Sequence, residues 1–324
     1  MYLKVLTVLA LVGLTSAHSH ISNFVINGAS YSGFNAKVKT NPKLLAAWST
    51  TVSDDGWVST ESYGGPNIVC HREATNPQGH APIAAGDTIG FQWQGWPESH
   101  HGPVVTHLAY CGAGRGSCES ADKTKLDFFA IDLVGLIDPS KNATEYATAR
   151  GIWASDILIQ NNASWIVQIP PKIAPGYYVL RHEIIALHFA RYPGQGPQHY
   201  PQCINIQVTG GGKDLPAGTP AMELYEAAEE GLIYDISQSP LPPYKIPGPT
   251  IYSGAKPFAA QTGAKALSSA TAIPGIPETT GENEANTVRE TPESVPAKTK
   301  RRLGARILPK AQRPEATPLP TAGP

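Results

Sequence analysis

Charge is scarce in this 324-residue chain: Asp, Glu, Lys and Arg make up 16% of it, and the formal net charge is −1. That balance gives no electrostatic reason to expect a nucleic acid as partner. Past residue 14 no apolar run approaches the roughly 18 to 20 residues needed to span a bilayer, so no membrane is expected either. Long amphipathic helical periodicity is missing outside a candidate short helix at Ala221 to Glu229. No cysteine follows Cys203, which excludes a small disulfide-stapled binding module at the C-terminal end. The loops offer no compelling pair of carboxylates for general acid/base work.

What is present begins with a leader. Lys4 precedes the apolar run Val5 to Leu14, and the small residues Thr15 and Ala17 occupy the positions a signal peptidase reads. Residues 1–17 read as a secretory signal peptide, and the mature protein as soluble and extracellular. Ala17 and Ser19 also satisfy the small-residue pattern, so a second cut is available. Either leaves histidine first, His18 or His20, and the leader's shape favours His18.

Four cysteines in an oxidising compartment suggest two disulfides, with three pairings open to them. The Gly-rich stretch from Cys111 to Cys118 can close locally, which leaves Cys70 with Cys203. Chain entropy gives the long bridge roughly 4 to 5 kcal/mol and the short one less. The sequons at Asn142 and Asn162 fit a secreted chain and predict surface loops.

Composition changes near residue 255. Residues 255–324 are rich in Ala, Pro, Thr and Glu, with Phe258 as their one aromatic, and read as a disordered tail. The tail holds 10 Lys/Arg against 6 Asp/Glu, whereas residues 18–254 hold 14 against 20. The remaining 237 residues suffice for one domain. Strand-like segments at Ile21 to Ile26, Thr88 to Trp93, Trp165 to Ile169, Tyr177 to Leu187 and Ile204 to Val208 alternate with Gly- and Pro-rich punctuation. They predict an all-β fold, an antiparallel β-sandwich with long loops.

The chemistry must be sought among His18, His20, His100, His101, His182, His188 and His199. An N-terminal His18 offers a metal two nitrogens, its amine and its side-chain Nδ1. A second imidazole would complete a T-shaped set favouring Cu(II). Its amine, with a pKa near 7.7 to 8.0, yields its proton to copper at neutral pH. In a competing geometry, His20, third in the mature chain, would close a square plane with the amine and two deprotonated backbone amides. That geometry conflicts with a strand starting at Ile21, because the strand needs those amides. The second imidazole is best sought in the loop 97–103, and a third polar group lies at 198–203.

These residues resemble the fungal cellulose-active lytic polysaccharide monooxygenases, auxiliary activity family nine, formerly glycoside hydrolase family sixty-one. The likeness covers 18–254. It rests on the N-terminal histidine followed by Asn27-Gly28, on SHHGP at 99–103, GIWASD at 151–156, RHEIIALH at 181–188 and QHYPQC at 198–203. The resemblance implies an immunoglobulin/fibronectin-like sandwich whose loops form a flat substrate-binding face. It implies one copper ion held by His18 and His100, with Tyr200 in the distant axial position and His188 and Gln198 as the outer pair that orients oxygen and supplies protons. Such outer groups commonly matter 10- to 100-fold. His101 would be a neighbour, Arg181 and His182 structural, and the role of Glu183 is left open. The family's disulfides pair Cys70 with Cys203 and Cys111 with Cys118.

The implied activity is oxidative cleavage of β-1,4-glucosidic bonds in cellulose by hydroxylation at C1 and/or C4. It uses dioxygen or hydrogen peroxide and an external donor such as cellobiose dehydrogenase or small phenols, and the enzyme works as a monomer. Tyr31 and Tyr244 are candidates to stack on sugar rings, while Trp48, Trp93, Trp153 and Trp165 read as core. The Ser19-His20 pair departs from the family, which often shows Gly or Thr followed by an apolar residue. Alternatives are a non-catalytic copper-binding protein with the same ligands and a carbohydrate-binding sandwich.

Overall fold

A computed structural model describes residues 19–38, 40–141 and 150–275. In chain order its strands are Ile21–Ile26 (β1), Ala29–Ser32 (β2), Gly79–Ala84 (β3), Thr88–Trp93 (β4), Val104–Gly112 (β5), Asp127–Val134 (β6) and Leu136–Asp138 (β7). Then come Ile152–Trp153 (β8), Ser164–Gln168 (β9), Gly176–Ala186 (β10), Gln198–Thr209 (β11), Thr219–Pro220 (β12), Ser268–Ala270 (β13) and Ile273–Pro274 (β14). Among the described residues two short α-helices interrupt them, Asn67–Cys70 (α1) and Ala154–Gln160 (α2).

One sheet runs β13-β2-β1-β4-β9 and the other β12-β6-β5-β10-β11-β3-β14, and together they make the expected sandwich. Pairing is antiparallel except for β3 with β11 and β2 with β13. Alternation builds the core: Ile89, Phe91 and Trp93 of β4 face Tyr178, Leu180 and Ile184 of β10, with Trp165 and Val167 beside them. All five expected strands form, and the last extends back from Ile204 to Gln198. The helix expected at 221–229 contracts to one 3-10 turn, Ala221–Glu223. There Leu224, Tyr225 and Leu232 turn inward, and the Glu229 carboxylate accepts hydrogen bonds from the amides of Glu226 and Gly248, which ties the segment into a loop.

Every residue of β10 is buried. One face lies against the other sheet, and the opposite face is covered by loops that carry a second apolar cluster around Trp48, Val69, Trp153, Val179, Ile185 and Tyr225. Both disulfides are present, Cys70–Cys203 and Cys111–Cys118. The first ties α1 to β11.

Order does not stop at residue 254, where composition places the start of the tail. Phe258 stacks on Trp165 with ring centroids 5.8 Å apart, and its amide donates to Asp132. The Gln261 side chain accepts from the Ile166 amide and donates to the Ile166 carbonyl, as a neighbouring strand would. Ala264 crosses β4 at Gly90, where a Cβ would lie 2.1 Å from the Ala264 methyl. Further on, β13 pairs with β2, β14 pairs with β3, and Arg115 donates to the Pro274 carbonyl. The composition misled because these contacts are tertiary and leave no periodicity in the strap's own sequence.

Candidate metal centre

The β10–β11 hairpin sets the site. Its register pairs Ala186 with Gln198 and Ile184 with Tyr200, so Gln198 and Tyr200, two apart, share the inner face. His188 follows the end of β10, half-buried. His100 enters from the loop between β4 and β5, its ring centroid 4.0 Å from that of His188 and 6.5 Å from that of Tyr200.

That loop is fixed from several sides. The Trp96 indole donates to the His100 carbonyl, and the Trp96 ring stands edge-on to Tyr200 at 4.9 Å. Gly102 lies so close to β10 that a Cβ would sit 1.9 Å from the Ile185 carbonyl. Its amide donates to Ser155 Oγ, and His101 Nδ1 lies 2.8 Å from Asp156. The GIWASD segment thus holds the SHHGP loop, and His101 is turned away as a neighbour.

The Ser99 hydroxyl lies 3.0 Å from His100 Nδ1. The Tyr200 hydroxyl donates to Gln198 Oε1 at 2.9 Å. Burial, with help from the charge of Asp54, raises the phenol's pKa, so it stays protonated. His18 lies outside the described residues, as does the leader. Among the described residues no three His, Cys, Asp or Glu side chains gather as a metal site.

His20 is buried, with Nδ1 2.8 Å from Asp55 Oδ1, while the other Asp55 oxygen accepts from Lys37 at 2.8 Å. The His20 carbonyl accepts from the Gln94 amide.

On the outer face of the same hairpin lies a second polar cluster. Glu183 accepts from Arg181 at 2.6 Å and from Tyr225, and lies 2.8 Å from His199 Nδ1. Arg181 also donates to the carbonyls of Ile68 and Val69 at the end of α1. Burial opposes the charge on Glu183, yet Arg181 and His199 outweigh it and hold the carboxyl well below the usual range. Glu183 is thus an anion held by three donors. His182, on the inner face, is pushed down to about 3 by burial and lies 2.8 Å from the Thr106 hydroxyl.

The two tyrosines expected to stack on substrate are packed instead. Tyr31 is 8% exposed and stacks on Phe24 at 5.2 Å with the planes 7° apart. The two-residue Asn27-Gly28 turn makes Tyr31 the partner of Phe24, an inward residue, and that register is the signal that could have placed it. Tyr244 is half-buried, edge-on to Trp153 and Tyr234, with its hydroxyl donating to Gly231. The four tryptophans expected in the core are there, none more than 3% exposed. Sequence reading missed Phe189 and Tyr192, 38% and 39% exposed. They line, with half-buried Trp57 and with Gln198, an open groove of about 700 Å3. Asn162 lies exposed in the turn after α2, and Asn142 falls outside the described residues.

The sandwich brings two imidazoles, an amide and a protonated phenol together at one end of a buried hairpin. The model of Auxiliary Activity family 9 (formerly GH61) matches residues 18–244. The AA9 family lytic polysaccharide monooxygenase A of Talaromyces verruculosus is 49% identical over 251 residues, 76% of this chain and 73% of that one. Its namesake from Thermoascus aurantiacus is 48% identical over 240 residues, 73% of this chain and 100% of the relative. Among solved structures, the extended catalytic domain of H. jecorina LPMO9A is 44% identical with a TM-score of 0.72, over 79% of this chain and 100% of that one. The chain belongs to the AA9 family of lytic polysaccharide monooxygenases, copper-dependent oxidoreductases that cleave polysaccharides oxidatively.

Proposed function

We propose that the chain is a secreted copper monooxygenase or peroxygenase that cleaves cellulose at β-1,4-glucosidic bonds by hydroxylating C1 and/or C4. The observation that carries this reading is the convergence of His100, His188, Gln198 and Tyr200 at the end of β10 and β11. Release of residues 1–17 would expose His18, whose amine and Nδ1 join His100 Nε2 as the copper ligands. Tyr200, a neutral phenol engaged with Gln198, would offer the metal a hydroxyl oxygen rather than a phenolate. Copper, when bound, supplies the one-electron chemistry that turns dioxygen or hydrogen peroxide, with an external donor, into an oxidant of sugar C–H bonds.

The chain's own residues do the rest. His188, packed against His100, and Gln198, fixed by Tyr200, would present an imidazole that can move a proton and an amide that can hold the oxidant by a hydrogen bond. A hydroxyl placed on C1 or C4 makes the glycosidic bond break by elimination, so no carboxylate pair is needed. Phe189 and Tyr192 replace Tyr31 and Tyr244 as the aromatics for sugar stacking. The reductant is a partner enzyme such as cellobiose dehydrogenase or a small phenol, and the enzyme acts as a monomer.

The test is product analysis on cellulose with ascorbate and trace copper. Aldonic acids or C4-oxidised oligomers are expected. Their absence from fully copper-loaded protein would overturn the reading.

A further inference from the structure

The third residue of the mature chain is a rival for the metal. With the amine and the two amides that follow it, a histidine at position three closes a square plane through its Nδ1, because only that nitrogen reaches back to form a six-membered chelate with its own amide. His20 occupies this position when the chain starts at His18. In the structure that same atom, Nδ1, lies 2.8 Å from Asp55 Oδ1.

Asp55 is built to be there. It stands at φ 55° in a turn, a left-handed conformation that Asp tolerates better than most residues. The turn is braced by Asp54, which accepts from the Gly56 amide at 3.1 Å and from Arg72 at 2.9 Å. The second oxygen of Asp55 is held by Lys37 at 2.8 Å. Asp55 and His20 are 8% and 9% exposed, so water competes little for the pair. The backbone assists: the His20 carbonyl takes the Gln94 amide, and Ile21 of β1 already pairs with Trp93 of β4.

We propose that Asp55 is a positioning residue for the copper centre: by engaging His20 Nδ1 it keeps the third residue out of the metal's inner shell and leaves the amine-plus-two-imidazole set as the coordination mode. The inference rests on the copper reading above. It is specific to a chain with histidine at position 20, since an apolar residue there has no nitrogen to restrain.

The experiment uses full-length protein with its start at His18 verified by mass, loaded with one equivalent of Cu(II), and reads EPR and visible absorption. Wild type, Asp55→Ala, Asp55→Ala/His20→Phe and His20→Phe are compared, with circular dichroism and thermal melts as fold controls. Loss of a charge-assisted hydrogen bond shifts the ratio of the two coordination modes by about 10- to 100-fold. Asp55→Ala is therefore expected to gain a component with four in-plane nitrogens, two of them backbone amides. The double variant is expected to lose that component. His20→Phe, which leaves the turn intact, is expected to keep the wild-type spectrum and a Cu(II) affinity within about 2-fold of it, a small change on the scale of a lost hydrogen bond.

A natively folded Asp55→Ala with the wild-type spectrum, or a His20→Phe protein with an altered one, overturns the inference while the copper reading stands. An amide-bearing spectrum in wild type itself overturns both.

Discussion

Two polar clusters sit on opposite faces of the β10–β11 hairpin, and both draw on the same two stretches of sequence. The inner face carries Tyr200 and Gln198, with His188 and His100 beside them. The outer face carries Arg181, Glu183 and His199, and its charges are fully engaged: the guanidinium meets a carboxylate and two carbonyls, and the carboxylate meets three donors. A period of two separates them residue by residue. Buried charge is tolerated on the outer face because partners converge on it.

The contrast can be broken most severely at Cys70–Cys203, whose 133-residue separation anchors α1, the source of the two carbonyls on Arg181. Replacing both cysteines with alanine is expected to cost about 5 kcal/mol of stability, read as a lower calorimetric melting temperature of copper-free protein. Next in size, Glu183→Gln leaves Arg181 buried beside a neutral amide and is expected to cost about 3 to 5 kcal/mol. A denaturant titration measures it, and the folded fraction should bind Cu(II) as wild type does. His188→Ala or Gln198→Ala should do the reverse, lowering oxidative turnover by about 10- to 100-fold with the denaturation midpoint unmoved. A large loss of stability in those variants would erase the distinction between the faces.

The smallest effect concerns pH. Burial pushes His182 down to about 3, below its unfolded value, so the unfolded state binds the extra proton first. The stability this neutral imidazole contributes is complete above pH 6.5 and is lost as pH falls toward 3. At pH 5.5 the loss is on the order of 1 kcal/mol. His182→Gln should therefore flatten the decline in melting temperature between pH 7 and 5.5.

Much of this was legible in sequence because the informative residues are chemical. SHHGP, RHEIIALH and QHYPQC carry the imidazoles, the phenol and the amide, and the alternation within the last two tells which neighbours part company. Glu183 stayed open because its partners Tyr225 and His199 meet it only through folding. Tyr31 was misplaced because exposure depends on register, and a two-residue turn at Asn27-Gly28 had already fixed that register toward Phe24. Phe189 and Tyr192 were overlooked because nothing in a Gly-Pro-rich loop reveals that it borders a groove.

The strap at 258–274 has one more consequence. Strand edges recruit other strands, and an uncovered margin invites pairing with another chain. Gln261 satisfies the Ile166 amide and carbonyl on the β9 edge, β13 covers β2, and β14 covers β3. On the remaining side β12 and the bridge from Ile251 to Ala130 cover β6. Trimming the chain at residue 254 would therefore do more than shorten a tail: it would uncover three margins at once and turn a self-contained sandwich into one prone to stacking with its own copies.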